Sequence, residues 1–167
     1  MIRKLAIGLI ACALVVGCKG KQSQSDQSIE SVPTAGGEGI DSSPLGFDPM
    51  GSDSGRIAGL VTVHFGYDKS NLDSDSKREI ATNVEWMKKN PNVRVQIEGH
   101  CDARGTIEYN VALGERRANA VKAYMVSMGI PADRLSVISY GKEKPVAMGD
   151  TEDAWAKNRR ANFVPAQ

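Results

Sequence analysis

The chain has 167 residues, with 21 Lys and Arg against 20 Asp and Glu; 41% of its residues are apolar and 5% are aromatic. These averages exclude an overall basic nucleic-acid binder, an acidic disordered tail and a polytopic membrane protein. The length favours one folded domain plus additional segments, because a chain of this size rarely forms two complete hydrophobic cores.

Residues 1–17 begin with two positive charges, Arg3 and Lys4, which an apolar run follows. That run is too short to cross a bilayer, which needs about 20 apolar residues. A charged start, a short apolar core and small residues at the end are typical of a secretory signal peptide. We therefore leave this segment out of the fold.

The residues before Cys18 resemble the lipobox of bacterial lipoproteins, in which the cysteine becomes the lipidated first residue. Cys12 fits the same pattern, but cleavage there leaves an apolar core at the lower limit for export, so we expect lipidation at Cys18. An ordinary thiol behind a normal signal peptide is the alternative. Lys19 stands where the resemblance places Asp for retention in the inner membrane. The resemblance therefore implies the outer membrane, with the rest of the chain in the periplasm.

The segment from Cys18 to residue 59 is predicted to be a flexible tether. Its residues 19–59 contain eight Gly, eight Ser and three Pro, and such a composition buries too little apolar surface to offset chain entropy. Residues 60–167 hold eight of the nine aromatic residues. We expect the single folded domain there.

The pattern over the first half of this domain predicts two strands and a helix between them. Residues 60–65 and 93–98 alternate between apolar and polar side chains, as strands do. Asp73 can cap a helix whose apolar positions recur every three or four residues and which ends before Pro91.

The second half predicts a loop over residues 99–106, a long helix from Thr106 to Gly129, a strand over 135–140, a short helix from about Thr151 and a final strand near 160–164. Strands that alternate with helices indicate an α/β (α+β) fold with helices packed on a sheet and at least one parallel pair of strands.

Arg117 is spaced four residues from both Leu113 and Val121, so its guanidinium lies within or beside the buried stripe of the long helix. Such a charge needs an anionic partner, and Asp102 in the preceding loop is well placed to approach it. Two interpretations follow. The two side chains form a structural ion pair, or they hold a zwitterion, with the carboxylate on its ammonium and the guanidinium on its carboxylate.

Four motifs in order resemble the OmpA-like peptidoglycan-binding domain, and most closely its lipoprotein branch in the Tol-Pal system: VHFGYDKSNL, GHCDARGTIEYNVALGERRANAV, VISYGKEKP and KNRRANF. The resemblance implies a βαβαβ fold with a mixed parallel and antiparallel sheet. It also implies non-covalent recognition of the diaminopimelate residue of peptidoglycan stem peptides. We expect no cofactor, and the two histidines and one remaining thiol show no metal-ligand spacing.

By motif position, the resemblance assigns the acid to Asp102 and the arginine to Arg117, with Asn110 and Leu113 in the same signature. The first-strand segment supplies Tyr67 and Asp68. Arg104, Thr106 and Tyr109 are expected at the rim. Cys101 and Gly114 depart from residues common in the broader family, although GERRA is typical of the lipoprotein branch.

The implied role is a link between outer membrane and cell wall that supports envelope integrity and constriction at division. The implied partners are peptidoglycan, TolB and other Tol proteins, and no nucleic acid. The alternative is a module that chiefly docks TolB, with cell-wall binding secondary.

An enzyme is the third possibility, because His100 and Cys101 suggest a thiol hydrolase. Adjacent residues of an extended chain point to opposite sides, however, which makes them a poor catalytic pair. We expect no catalytic activity, and a buried Cys101. A glycan or partner contact is one interpretation of Asn158, Arg159 and Arg160. We favour a structural role, in which one arginine binds carbonyls or a carboxylate to hold the last strand.

Overall fold

The computed structural model describes residues 47–166. The predicted signal peptide, Cys18 and most of the predicted tether lie outside these residues. Four strands and three α-helices form within this range. In chain order they are β1 (Val63–His64), α1 (Ser74–Lys89), β2 (Arg94–His100), α2 (Ile107–Ser127), β3 (Leu135–Gly141), α3 (Glu152–Asn158) and β4 (Arg160–Ala166).

The predicted alternation of strands and helices is confirmed, and so is the α/β class. The three helices begin where predicted, and the side chains of Asp73, Thr106 and Thr151 cap them, because each accepts a hydrogen bond from a backbone N–H of the first turn. Such a bond satisfies one of the free donors at a helix start. β1 is shorter than predicted, since only Val63 and His64 pair with β4.

The sheet is mixed, with strand order β1-β4-β2-β3. β4 runs antiparallel to both β1 and β2, whereas β2 and β3 are parallel. The parallel pair is joined through α2, which packs on both of its strands. This connection carries the chain from the end of β2 directly into the start of α2, where the predicted site lies.

Apolar side chains of the strands and of the two long helices form one core. Val95 and Ile97 of β2 and Phe163 of β4 are fully buried against residues of α1 and α2. Alternate residues of β2, among them Glu98 and His100, face the other side of the sheet.

Residues 47–59, which we call the strap, pack on the domain, although they were predicted to belong to the flexible tether. Ser52 donates a hydrogen bond to Asn162 over 2.8 Å, and Arg160 donates to Asp53 over 2.8 Å. Phe47 meets the edge of Trp86 at 5.6 Å between ring centroids. The domain therefore includes residues 47–59. The Gly- and Ser-rich composition predicted a flexible segment, but in the strap these small residues let its backbone pack closely on β4. A Cβ on Gly51 would overlap the backbone of Phe163.

Candidate functional site

Arg117 lies beneath the loops at one end of the sheet. Two glycines let its helix, α2, lie close to β2. Gly99 of β2 and Gly114 of α2 pack so closely that a Cβ on either would overlap the backbone of the other. The departure at Gly114 thus has a structural reason. Arg117 follows three residues later and is fully buried.

The guanidinium of Arg117 binds backbone carbonyls rather than a carboxylate. It donates hydrogen bonds to the carbonyls of Lys69, His100 and Gly66 over 2.8, 2.7 and 3.1 Å, and to the sulfur of Cys101 over 3.4 Å. Burial lowers the pKa of Arg117, because the charged form loses hydration.

The first interpretation of this site, a structural ion pair between Asp102 and Arg117, is wrong. Within residues 47–166, the carboxylate of Asp102 forms its ion pairs with Arg104 and Arg159. The reason is geometric: the carbonyls of the β1–α1 loop already surround Arg117, while Asp102 faces the two other arginines.

Asp102 is 4% exposed and remains ionised. Burial raises its pKa, but the hydrogen bonds from the side chain and backbone of Arg104 outweigh burial and hold the pKa below its usual value. Arg159 adds a weaker contact at 3.5 Å.

Arg104 lies between two aromatic rings. Its guanidinium carbon is 3.9 Å from the ring centroid of Tyr67 and 4.0 Å from that of Trp155. Cation–π attraction and the ion pair with Asp102 therefore act on the same group.

Asp68 supplies a second carboxylate to the lining of the pocket. It adopts a left-handed backbone conformation with φ of 54° and accepts a hydrogen bond from the hydroxyl of Tyr109. Within the described residues, no arginine or lysine is paired with it. It is thus a carboxylate available to a cation from outside.

Asn110 and Thr106 hold the loop before α2 in place, and Leu113 lines the pocket. The amide of Asn110 donates to the carbonyls of Arg104 and Thr106 over 2.7 and 2.9 Å. Thr106 caps α2 and, unlike the other eight predicted residues, does not line the pocket.

The pocket has a volume of 170 Å³. Its lining consists of Tyr67, Asp68, Cys101, Asp102, Arg104, Gly105, Tyr109, Asn110, Leu113 and Arg117. Sites for drug-sized ligands measure about 300–1,000 Å³. This pocket therefore suits the charged end of one side chain rather than a sugar ring or a whole peptide.

Cys101 and Gly105 of the lining were not among the predicted site residues, and neither were two residues that contact the site. Trp155 of α3 forms one wall around Arg104, and Arg159 contacts Asp102 while it also binds the carbonyl of Phe65 and the carboxylate of Glu152. Trp155 lies outside the four motifs, so the sequence did not indicate that it belongs to the site. Arg159 belongs to the KNRRANF motif, for which a structural role was expected. Arg160 of the same motif has that role, since it binds Asp53 and the carbonyls of Asn158 and Lys144.

His100 and Cys101 face different cavities. Cys101 lines the pocket, whereas His100 lines a cavity beside the strap. Cys101 is buried as expected, and burial raises the pKa of its thiol. A thiolate nucleophile needs the opposite shift and a base within reach.

Comparisons with known proteins agree with the fold and the motifs. The model of the OmpA family matches residues 64–159. The peptidoglycan-associated lipoprotein of Pseudomonas aeruginosa is 40% identical over 162 residues, which are 96% of this chain and 95% of that protein. That of Rhizobium meliloti is 48% identical over 102 residues, 61% of this chain and 58% of that protein.

Among solved structures, the peptidoglycan-associated lipoprotein from Burkholderia pseudomallei matches with a TM-score of 0.60 and 37% identity over 63% of this chain and 89% of that one. The C-terminal domain of Helicobacter pylori MotB matches with a TM-score of 0.61 at 22% identity, covering 65% of this chain and 86% of that one, and supports the fold alone. The chain belongs to the OmpA family and, within it, to the peptidoglycan-associated lipoproteins.

Proposed function

We propose that this protein holds peptidoglycan without cleaving it, by binding the diaminopimelate residue of a stem peptide in the pocket. The side chain of diaminopimelate ends in an ammonium and a carboxylate on one carbon. The pocket offers carboxylates at Asp68 and Asp102 and a guanidinium at Arg117, and its volume of 170 Å³ suits such a group.

The observation that carries the proposal is the bonding of Arg117. A guanidinium has five N–H donors, and four of them are used by three carbonyls and one sulfur. Within residues 47–166 no carboxylate lies within ion-pair distance of it. A buried cation with a free donor in a pocket favours a ligand that brings its own anion.

Titration of the full chain in detergent with a diaminopimelate tripeptide tests this assignment. The control ligand carries lysine in place of diaminopimelate and so lacks the second carboxylate. We expect binding of the first and at least about tenfold weaker binding of the second, from the loss of one charge-assisted contact. Equal binding of both ligands would exclude Arg117 as the carboxylate receptor.

The matched variants are Arg117→Lys and Arg116→Lys. Both keep the charge, but only Arg117 lines the pocket. We expect Arg117→Lys to bind the diaminopimelate peptide at least about tenfold more weakly, since a lysine lacks the planar fork of donors, and Arg116→Lys to bind it as the parent does.

We further propose that the protein is anchored in the outer membrane through a lipid on Cys18 and acts in the Tol-Pal system at division and in envelope integrity. Within residues 47–166, no helix is long and apolar enough to cross a membrane. Mass spectrometry of the N-terminal peptide tests the lipid and distinguishes Cys18 from Cys12.

A protein partner at the same face is the second candidate function. Four large apolar or aromatic side chains near the pocket are exposed: Tyr67, Ile107, Tyr109 and Val111. The family resemblance implies TolB as the partner. If TolB docks here, it should compete with the diaminopimelate tripeptide for the full chain, whereas a separate docking face predicts independent binding.

We propose no enzymatic activity, because the thiol of Cys101 is buried and protonated and His100 lies in another cavity. Prolonged incubation of purified sacculi with the protein should release no soluble fragments. Release that depends on Cys101 would contradict this proposal.

A further inference from the structure

The carboxylate of Asp102 is already occupied by a cation of the protein itself. Its Oδ1 accepts hydrogen bonds from the backbone N–H and Nε of Arg104 over 3.1 and 3.2 Å, and its Oδ2 accepts from Nη2 of Arg104 over 2.5 Å. The side chain of Asp102 is 5% exposed. With Arg104 bonded in this way and Arg159 at 3.5 Å, a cation from outside the protein cannot reach this carboxylate.

Of the two arginines on Asp102, Arg104 is the one that can move. Arg159 is 8% exposed and is held by the carbonyl of Phe65 and the carboxylate of Glu152. The side chain of Arg104 is 30% exposed, and apart from Asp102 its guanidinium contacts the faces of two aromatic rings. Ring faces attract any nearby cation without fixing its donors in one direction.

We propose that Arg104 is a specificity-determining residue that acts as an internal competitor: its guanidinium neutralises Asp102 until the ammonium of the ligand displaces it. This inference rests on the proposed function, and concerns how the same pocket selects its ligand. A ligand without an ammonium at that position leaves Arg104 on Asp102. It then meets a pocket whose acid is already paired.

The arrangement also separates the two carboxylates by role. Asp68 is bonded to the hydroxyl of Tyr109 and has no cationic partner among the described residues, so it receives an incoming ammonium first. Exchange at Asp102 follows as Arg104 leaves, with its charge still near the rings of Tyr67 and Trp155.

The test compares Arg104→Gln with the parent chain by calorimetric titration of the full chain in detergent. The two probes are the diaminopimelate tripeptide and the same peptide with its side-chain amine acetylated. We expect Arg104→Gln to bind the free amine about three- to tenfold more tightly, which corresponds to the loss of one partly exposed ion pair. Binding of the acetylated peptide should not tighten.

Arg116→Gln is the matched control. It also removes one arginine charge near the site, because Arg116 lies on α2 close to Tyr109, but Arg116 does not contact Asp102. It should tighten neither ligand. Arg104→Lys keeps the charge but loses the two-pronged contact and the planar stacking, and should fall between parent and Arg104→Gln. It also serves as the second variant if Arg104→Gln does not fold.

The outcomes separate this inference from the proposed function. If the parent binds the free amine and removal of Arg104 weakens that binding, Arg104 is a ligand contact; if the binding is unchanged, Arg104 takes no part in it. Either result overturns the inference and leaves the proposed function standing. If only the variant binds, Arg104 blocks the site and the inference stands. If neither binds, the proposed function fails and takes the inference with it.

Discussion

Arg117 is a charged residue placed entirely inside the protein, and backbone carbonyls replace the water it has lost. Two of its acceptors, Gly66 and Lys69, belong to the loop after β1, and the third belongs to His100 at the end of β2. One side chain thereby ties two loops together at the floor of the pocket. Its contribution to folding and its contribution to binding are consequently coupled.

Replacing Arg117 should therefore reduce stability as well as binding. We expect Arg117→Lys to lower the free energy of unfolding by about 2 kcal/mol, since hydrogen bonds from charged donors to buried carbonyls are lost. Arg116→Lys, with the same change of side chain, should alter it by less than about 0.5 kcal/mol. Urea unfolding at neutral pH measures both. Equal midpoints would show that the carbonyl contacts contribute nothing.

His100 makes the stability of the protein depend on pH. Both of its ring nitrogens are buried without a hydrogen-bond partner within the described residues. Burial lowers its pKa below the ordinary value of 6.5, and the neighbouring Glu98 at 3.6 Å does not offset this. The unfolded chain thus takes up a proton at a higher pH than the folded one does.

Because the unfolded chain binds this proton more readily, acid should lower the free energy of unfolding. The free energy of unfolding should be insensitive to His100 above about pH 7 and should fall as the pH drops below about 6.5, by up to about 1.4 kcal/mol per pH unit. His100→Gln should remove this slope between pH 5 and 7, and His64→Gln should retain it. The acids with lowered pKa, Asp73, Glu98 and Asp102, act at lower pH. A slope that survives in His100→Gln would assign the effect to another group.

At the scale of elements, the contact between β2 and α2 depends on two missing side chains. Gly99 and Gly114 allow the strand and the helix to approach closely, and this approach brings Arg117 to the end of β2. A glycine inside a helix costs about 1 kcal/mol relative to alanine. The close approach outweighs that cost.

Gly99→Ala should lower the free energy of unfolding by about 3 kcal/mol, because its Cβ would overlap the carbonyl of Gly114 and neither backbone can yield. Gly114→Ala should also destabilise despite its gain in helix propensity. Gly66→Ala is the control, since its Cβ would meet only the flexible side chain of Lys69. Thermal unfolding ranks the three, and a stabilised Gly114→Ala would contradict the packing argument.

The strap should be required for full stability of the domain. Without residues 47–59, the buried Arg160 loses Asp53 and the amide of Asn162 loses Ser52. Breaking such a buried pair costs about 3 kcal/mol or more. We expect a chain that begins at residue 60 to unfold at a lower urea concentration than one that begins at residue 47, whereas the latter should match a chain that begins at residue 19.

Local chemistry explains which elements could be predicted. The caps Asp73, Thr106 and Thr151 act within three residues of their own position, so the sequence was sufficient to locate the helix starts. The strap could not be found in this way, because Ser52 and Asn162 lie 110 residues apart. Likewise, the motif identified Asp102 and Arg117, but which of several arginines pairs with Asp102 depends on how three loops meet.

At the scale of the whole molecule, the lipid anchor is proposed to bind the membrane and the pocket to bind the cell wall. One experiment can measure the two attachments separately. Vesicles carrying the lipidated full chain should sediment with sacculi. With Cys18→Ser, the protein should still sediment but the vesicles should remain in the supernatant, because lipid attachment is lost and the pocket is intact. With Arg117→Lys, neither should sediment. Vesicles that sediment with the Cys18→Ser chain would contradict the proposed anchor.

The strap has a mechanical consequence for such a link. Within the described residues, a pull from the N-terminal side first loads the contact of Phe47 with Trp86 and then the buried contacts of Ser52 and Asp53 with β4. Only if these give way does tension reach β1, a strand of two residues, and beyond it the carbonyl of Gly66 that holds Arg117. In the proposed link, the strap would therefore bear tension before the loop that holds Arg117 does.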